Sequence, residues 1–149
     1  MPGIDECLLH AMTVPGARGA ALVDWTSGLA LGVIGDSPVG DHETTAAETA
    51  ELARAAAEYE SFARPEELRD GALSDDELPD AGLRDGGSPK GPPVEDVIVT
   101  TRSGYHVLRF VETTFDSSVF LHLWLDRSTG NLALARLRLR DLAERLVLG

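Results

Sequence analysis

The sequence predicts an α+β domain: one five-stranded antiparallel sheet with helices on both faces, in the order α-β-β-α-β-β-β-α, with a long acidic loop before the third strand. Three observations predict it. The run 119–125 puts Val119, Leu121, Leu123 and Leu125 on one face and Phe120, His122 and Trp124 on the other, so this strand is buried on both sides and central. Residues 41–62 contain no Gly or Pro and are rich in Ala and Glu, which reads as a helix. Two glycine-containing turns, at 24–28 and 103–104, each separate short apolar runs and read as hairpins.

The elements follow in order. Ile4, Leu8, Leu9 and Met12 have helical spacing, and Pro15-Gly16 ends that first helix. Gly19 to Val23 and Leu29 to Ile34 form the first hairpin, turning through Asp24-Trp25-Thr26-Ser27-Gly28. Asp41 is placed to cap the long helix, and Glu43 suits its positive end. Along it, Ala46, Ala50, Ala53 and Ala57 make a stripe of small side chains that lets another backbone come close. Residues 61–93 hold five Pro and five Gly in 33 positions and are acidic. They cannot bury enough apolar surface to offset the entropy of ordering, so they read as an inserted loop, with a short helical turn around 65–69. Val94 to Thr101, Tyr105 to Val111 and Val119 to Leu125 are the last three strands. The tail alternates as Arg136-Leu137-Arg138-Leu139-Arg140, yet Leu132, Ala135, Leu139, Leu142 and Leu146 recur at helical spacing. Good helix formers and a capping Asn131 decide for helix.

A chain of 149 residues has the length of one domain, 1–149, of which the flanks of the insert are two halves. The net charge of −12 opposes nucleic acid and anionic lipid as partners. That acidity sits early: residues 1–60 carry ten acidic against two basic side chains, whereas 94–149 carry seven of each. One cysteine, Cys7, forms no internal disulfide, and neither a signal peptide nor an apolar run of membrane-spanning length is visible, so a cytoplasmic protein without membrane insertion is expected.

Catalytic constellations are hard to find. Gly86-Gly87-Ser88-Pro89-Lys90-Gly91 lacks the spacing and the leading strand of a phosphate loop, and Ser27 sits in a hairpin turn outside any nucleophile elbow. His10, His42, His106 and His122 are scattered, without metal-ligand spacing. His106 and His122 are candidates to meet across adjacent strands, with Asp126 as a conceivable acid/base companion, but core or edge histidines are the simpler reading. Trp25 and Trp124 read as core aromatics rather than a stacking platform. Arg136, Arg138, Arg140 and Arg145 form either a docking patch for an acidic partner or a solvated helix face. No enzyme activity, cofactor, metal or catalytic residue is expected.

The same element order resembles the roadblock / dynein light-chain family, bacterial type, whose fold is related to profilin and longin domains. The residues that carry the likeness are Gly19-Ala20-Ala21-Leu22-Val23-Asp24 with Gly28-Leu29, the Ala-rich helix from Asp41, and Val97-Ile98-Val99-Thr100-Thr101. Tyr105 to Arg109, Phe120 to Asp126 and Gly130 to Arg136 add to it, so the likeness covers the chain outside the insert. The resemblance implies a homodimer and a regulatory or scaffold role toward small Ras-like GTPases or other signalling proteins. It further implies a dimer interface of Ala46, Ala50, Ala53 and Ala57 with the edge strand Val97, Ile98, Val99, Thr100 and Thr101. Strand physics supports such a seam, because an unpaired edge exposes backbone donors and acceptors that a second copy can satisfy. A proline at Val99 is the corresponding sequence-level way to delete a seam donor. Two other readings stay open: a monomer in which the acidic loop caps that strand edge and the alanines pack on their own sheet, and a PAS- or GAF-like small-molecule sensor with a hollow core.

Overall fold

The computed structural model describes residues 3–63, 93–112 and 118–148. The loop expected at 61–93, with its helical turn around 65–69, lies outside the described residues except at its ends. The elements are α1 (Ile4–Ala11), β1 (Ala17–Asp24), β2 (Leu29–Gly35), α2 (His42–Glu58), a single 3-10 turn (Glu60–Phe62), β3 (Asp96–Thr100), β4 (Gly104–Val111), β5 (Val119–Asp126) and α3 (Leu132–Leu148).

All neighbouring strands are antiparallel, in the order β2-β1-β5-β4-β3. The strand with apolar residues on both faces is therefore the middle one, and β2 and β3 are the edges. Leu121, Leu123 and Leu125 join Leu8, Leu22, Val107, Leu139 and Leu142 beneath α1 and α3. On the opposite face Phe120 joins Val23, Leu108, Phe110 and the inner alanines of α2. Bulky rings on the sheet explain the small residues on the helix, since two large layers would hold the helix away and leave voids.

Local chemistry sets the ends. The Asp41 carboxylate caps α2, accepting from the Glu43 N–H at 3.1 Å and from the Thr44 hydroxyl at 2.7 Å. The sequence suggests helix to Phe62, but α2 stops at Glu58 because Tyr59 is extended (ψ 134°). Beyond the last inward alanines the chain has left the sheet, and Tyr59 and Phe62 are exposed, so no burial supports another turn. In the tail the helical reading holds: Ala135, Leu139 and Leu142 are buried while Arg136 and Leu137 are exposed, and Asn131 accepts from the Leu134 N–H at 3.0 Å.

The turn after α1 is laid directly on the turn before α3. Asp126 N–H donates to Gly16 O at 2.8 Å and Asn131 N–H to Pro15 O at 3.3 Å. Gly16 has φ 82°, and a Cβ there would lie 2.5 Å from Gly130 Cα. Gly16→Ala thus combines left-handed strain with a backbone collision and should lower stability by about 1–3 kcal/mol, read as a drop in the urea midpoint.

Candidate interaction surface

The outer side of β3 has no partner among the described residues. Ladder parity decides which of its donors are free. Thr101 N–H donates to Gly104 O (2.8 Å) past one end of the β3–β4 pairing, and Phe110 N–H to Glu95 O (3.0 Å) past the other. Thr100 opposite Tyr105 and Asp96 opposite Arg109 are thereby pairs that exchange no bonds with each other. It follows that Val97 and Val99 point N–H toward β4, while Asp96, Ile98 and Thr100 point N–H outward. A proline at Val99 would cut a bond inside the chain; Ile98 is the position that removes an outward donor.

The residues expected at a dimer seam divide into two groups. Val97, Ile98, Val99 and Thr100 lie on the edge strand, with Ile98 37% exposed. Thr101 lies past it, its Oγ1 accepting from the Gly104 N–H at 2.9 Å to close the β3–β4 turn. Ala46, Ala50 and Ala53 are buried on the chain's own sheet and Ala57 packs partly against the same cluster, so this stripe belongs to the protomer core. What α2 presents outward is different. Leu52 is 40% exposed, and just past the helix Tyr59 and Phe62 are 60% and 52% exposed with their rings 6.3 Å apart. Glu43, Ala47, Glu51 and Arg54 mark the flank of α2 that faces the β1–β2 turn. By helical spacing the opposite flank, with Thr49, Leu52 and Ala56, looks over β4 and β3. There Val97, Val99 and His106 are only half-buried, because α2 lies over β1 and β2.

A polar cluster occupies the same face at the start of α2. His106 Nδ1 and His122 Nε2 are 3.0 Å apart, and their rings stack at 5.3 Å. His106 also stacks on Trp124 at 5.9 Å, Arg18 lies 4.7 Å over that indole, and Trp124 Nε1 donates to Asp36 O at 2.7 Å. Burial, reinforced by the nearby His106, pushes the His122 pKa down to about 3, and burial lowers that of His106. The pair is neutral and structural. Asp126 is no companion to it: its carboxylate accepts from Ser128 and Thr129 in the turn after β5. Sequence reasoning found this pair as strand neighbours, and the two-faced pattern of 119–125 already places His122 inside.

The remaining candidates have structural places. Burial raises the Cys7 thiol pKa to about 11, which removes thiolate reactivity. Arg136 donates to Asp96 at 3.0 Å and Arg138 to Thr13 Oγ1 at 2.6 Å, so two of the four helix arginines are used within the chain. Trp25 is partly buried against the α2-side cluster. Ser27 Oγ accepts from the Leu29 N–H in the hairpin turn. The Gly86 to Gly91 segment lies outside the described residues. A sensor would need a chamber, but the space between α2 and the sheet beside His122 and Trp124 is about 10 Å³, room for about one water. No helix among the described residues is long and apolar enough to cross a membrane.

The histidine shifts make a pH prediction. The folded pKa lies below the unfolded value of about 6.5, so the unfolded chain binds protons the folded one refuses, and stability present above that pH is lost as pH falls toward 3. Between pH 7.5 and 5 the loss should be about 2 kcal/mol, and His122→Leu should flatten that slope in urea titrations.

No protein-family model matches the chain, and no match is found among curated proteins. Solved structures do match. A Roadblock/LC7 domain from Streptomyces avermitilis aligns at 20% identity and TM-score 0.59, over 97% of this chain and 95% of that one. Myxococcus xanthus MglB aligns at 17% and 0.62, over 99% and 89%. An MglB with a tetrameric arrangement aligns at 16% and 0.61, over 99% and 90%. With TM-scores of 0.59 to 0.62 over nearly the whole of both chains, the fold of this chain is the roadblock fold.

Proposed function

We propose that this chain is a non-enzymatic regulatory or scaffold module that works as a homodimer, joined at β3, and docks a signalling protein, a small Ras-like GTPase being the partner class its fold suggests. The observation that carries this reading is the outward donor row of Asp96, Ile98 and Thr100 beside a half-covered apolar face. Antiparallel pairing with a second β3 satisfies those donors and carries one sheet across two protomers. It also brings a second α2 toward Val97, Val99 and the exposed Leu52 of the first, burying area that single chains leave in water. Charges near the edge permit this, since Glu95 and Asp96 sit among Arg109, Arg136 and Arg140. The likeness to an MglB with a tetrameric arrangement supports assembly with copies of itself.

Sedimentation at micromolar concentration tests the dimer. The unaltered chain should sediment as a dimer, and Ile98→Pro should weaken association at least tenfold while circular dichroism stays unchanged. Leu52→Asp leaves the backbone alone and should weaken it as well. A strict monomer, or a dimer indifferent to both changes, would remove the reading. Titration of a Ras-like GTPase from the same genome, loaded with GDP or a GTP analogue, tests the partner class separately.

A further inference from the structure

The second edge of the sheet is unlike the first. β2 also lacks a partner on its outer side among the described residues, and three of its side chains are exposed: Leu29 at 65%, Leu31 at 51% and Val33 at 42%. Asp36 N–H donates to Arg18 O, which makes Gly19 opposite Gly35 a pair without mutual bonds. Ile34 accordingly bonds Ala20, and the backbone of Val33 points N–H and C=O away from β1. Beside this edge a groove of about 560 Å³ runs between the β1–β2 turn and α2, lined among others by Trp25, Leu29, Ala47, Glu51 and Arg54. Gly28, at φ 78°, gives that turn its left-handed conformation beside the helix, 3.9 Å from Ala47 Cα to the place a Cβ would take.

An apolar edge beside a groove has the form of a strand-addition site, in which backbone bonds hold an extended peptide and alternate side chains enter pockets. Charge selects the occupant. Asp24 ends β1 opposite Leu29, Glu43 and Glu51 line the groove, and α1, which packs over β2, carries exposed Asp5 and Glu6. Among the described residues that line the groove, Arg54 is the one cation. Asp24 stays ionised, because hydrogen bonds from Thr26, Ser118 and the Ser27 N–H outweigh the effect of burial. A second copy pairing here about a twofold axis would set Glu43 and Glu51 against their own equivalents, a like-charge arrangement that disfavours self-association.

We propose that the β2 edge and its groove bind an extended, basic peptide segment of another protein by strand addition, with apolar side chains toward Leu29 and lysine or arginine side chains on the α2 side toward Glu43 and Glu51. The site stands apart from the β3 seam, and its occupancy does not depend on whether β3 pairs. The register of β2 on β1 shifts once, at Leu31, so the peptide pairs with the regular stretch Gly32–Gly35 and follows the strand past the bulge toward Leu29.

The test uses a capped octapeptide of alternating lysine and valine, with an alternating glutamate–valine control and a lysine–valine version N-methylated at every second residue. Fluorescence anisotropy should show the lysine–valine peptide binding at least tenfold tighter than either control. Binding should weaken at least threefold in Glu43→Gln/Glu51→Gln, and hydrogen exchange should slow at the Val33 amide. Equal binding of the acidic peptide, tolerance of N-methylation, no detectable binding, or protection appearing at β3 instead would each overturn the proposal. So would protection of Val33 that rises with protein concentration in the absence of peptide, which would assign the edge to a second copy.

Discussion

Burial of β5 on both faces is the constraint from which the other elements take their places. A strand with Leu121, Leu123 and Leu125 on one side and Phe120, His122 and Trp124 on the other needs a layer over each face and a paired strand along each edge. α1 and α3 supply one layer and α2 the other, while β1 and β4 supply the edges. The only polar member of the central row is His122, and a buried imidazole is costly unless it has a partner. His106 on β4 provides that partner at 3.0 Å, and the same burial that makes the pair necessary keeps it neutral.

With β5 fixed in the middle, the edges among the described residues fall to β2 and β3, and their surroundings differ. Near β3, acidic and basic side chains are interleaved: Asp96 accepts from Arg136 at 3.0 Å and lies 3.9 Å from Arg109. Near β2, carboxylates outnumber cations. Backbone chemistry is the same at both edges, so the charges around them decide what each can accept. A balanced surface can meet its own copy, and an acidic one is better matched by a basic chain.

Much of the architecture was legible because it rests on contrast within a few residues. The alternation of 119–125, the glycine turns and the capping Asp41 each carry a local signal, and each element is found within a few residues of its expected ends. The site was less legible. Alanines occupy nearly every side of α2, at 46, 47, 50, 53, 55, 56 and 57, so composition does not distinguish the inward face from the outward one. Size misleads there as well: the larger Leu52 points out while Ala46, Ala50 and Ala53 point in, because Phe110 and Phe120 already fill the space beneath the helix. Ladder parity is invisible for a related reason. Whether Val99 or Ile98 faces outward depends on which pair of β3 and β4 exchanges hydrogen bonds, a matter of turn geometry at Thr101 and Gly104 rather than of residue type.

The inward alanines and the free edge of β3 are connected by geometry. A helix of small residues sits close to the sheet, its backbone nearest β1 and β2 and its inward alanines packed on Phe120 of β5 and Phe110 of β4. The α2-side face of β4 and β3 is then only half-covered at Val97, Val99 and His106, next to the one edge whose charges are balanced. Covering that face with a larger residue from within the protomer would require α2 to stand further from Phe120 and open voids at Ala50 and Ala53. Tight packing inside one chain thus leaves, among the described residues, an apolar strip beside a strand with one open edge, which is the surface that the proposed pairing with a second copy would use.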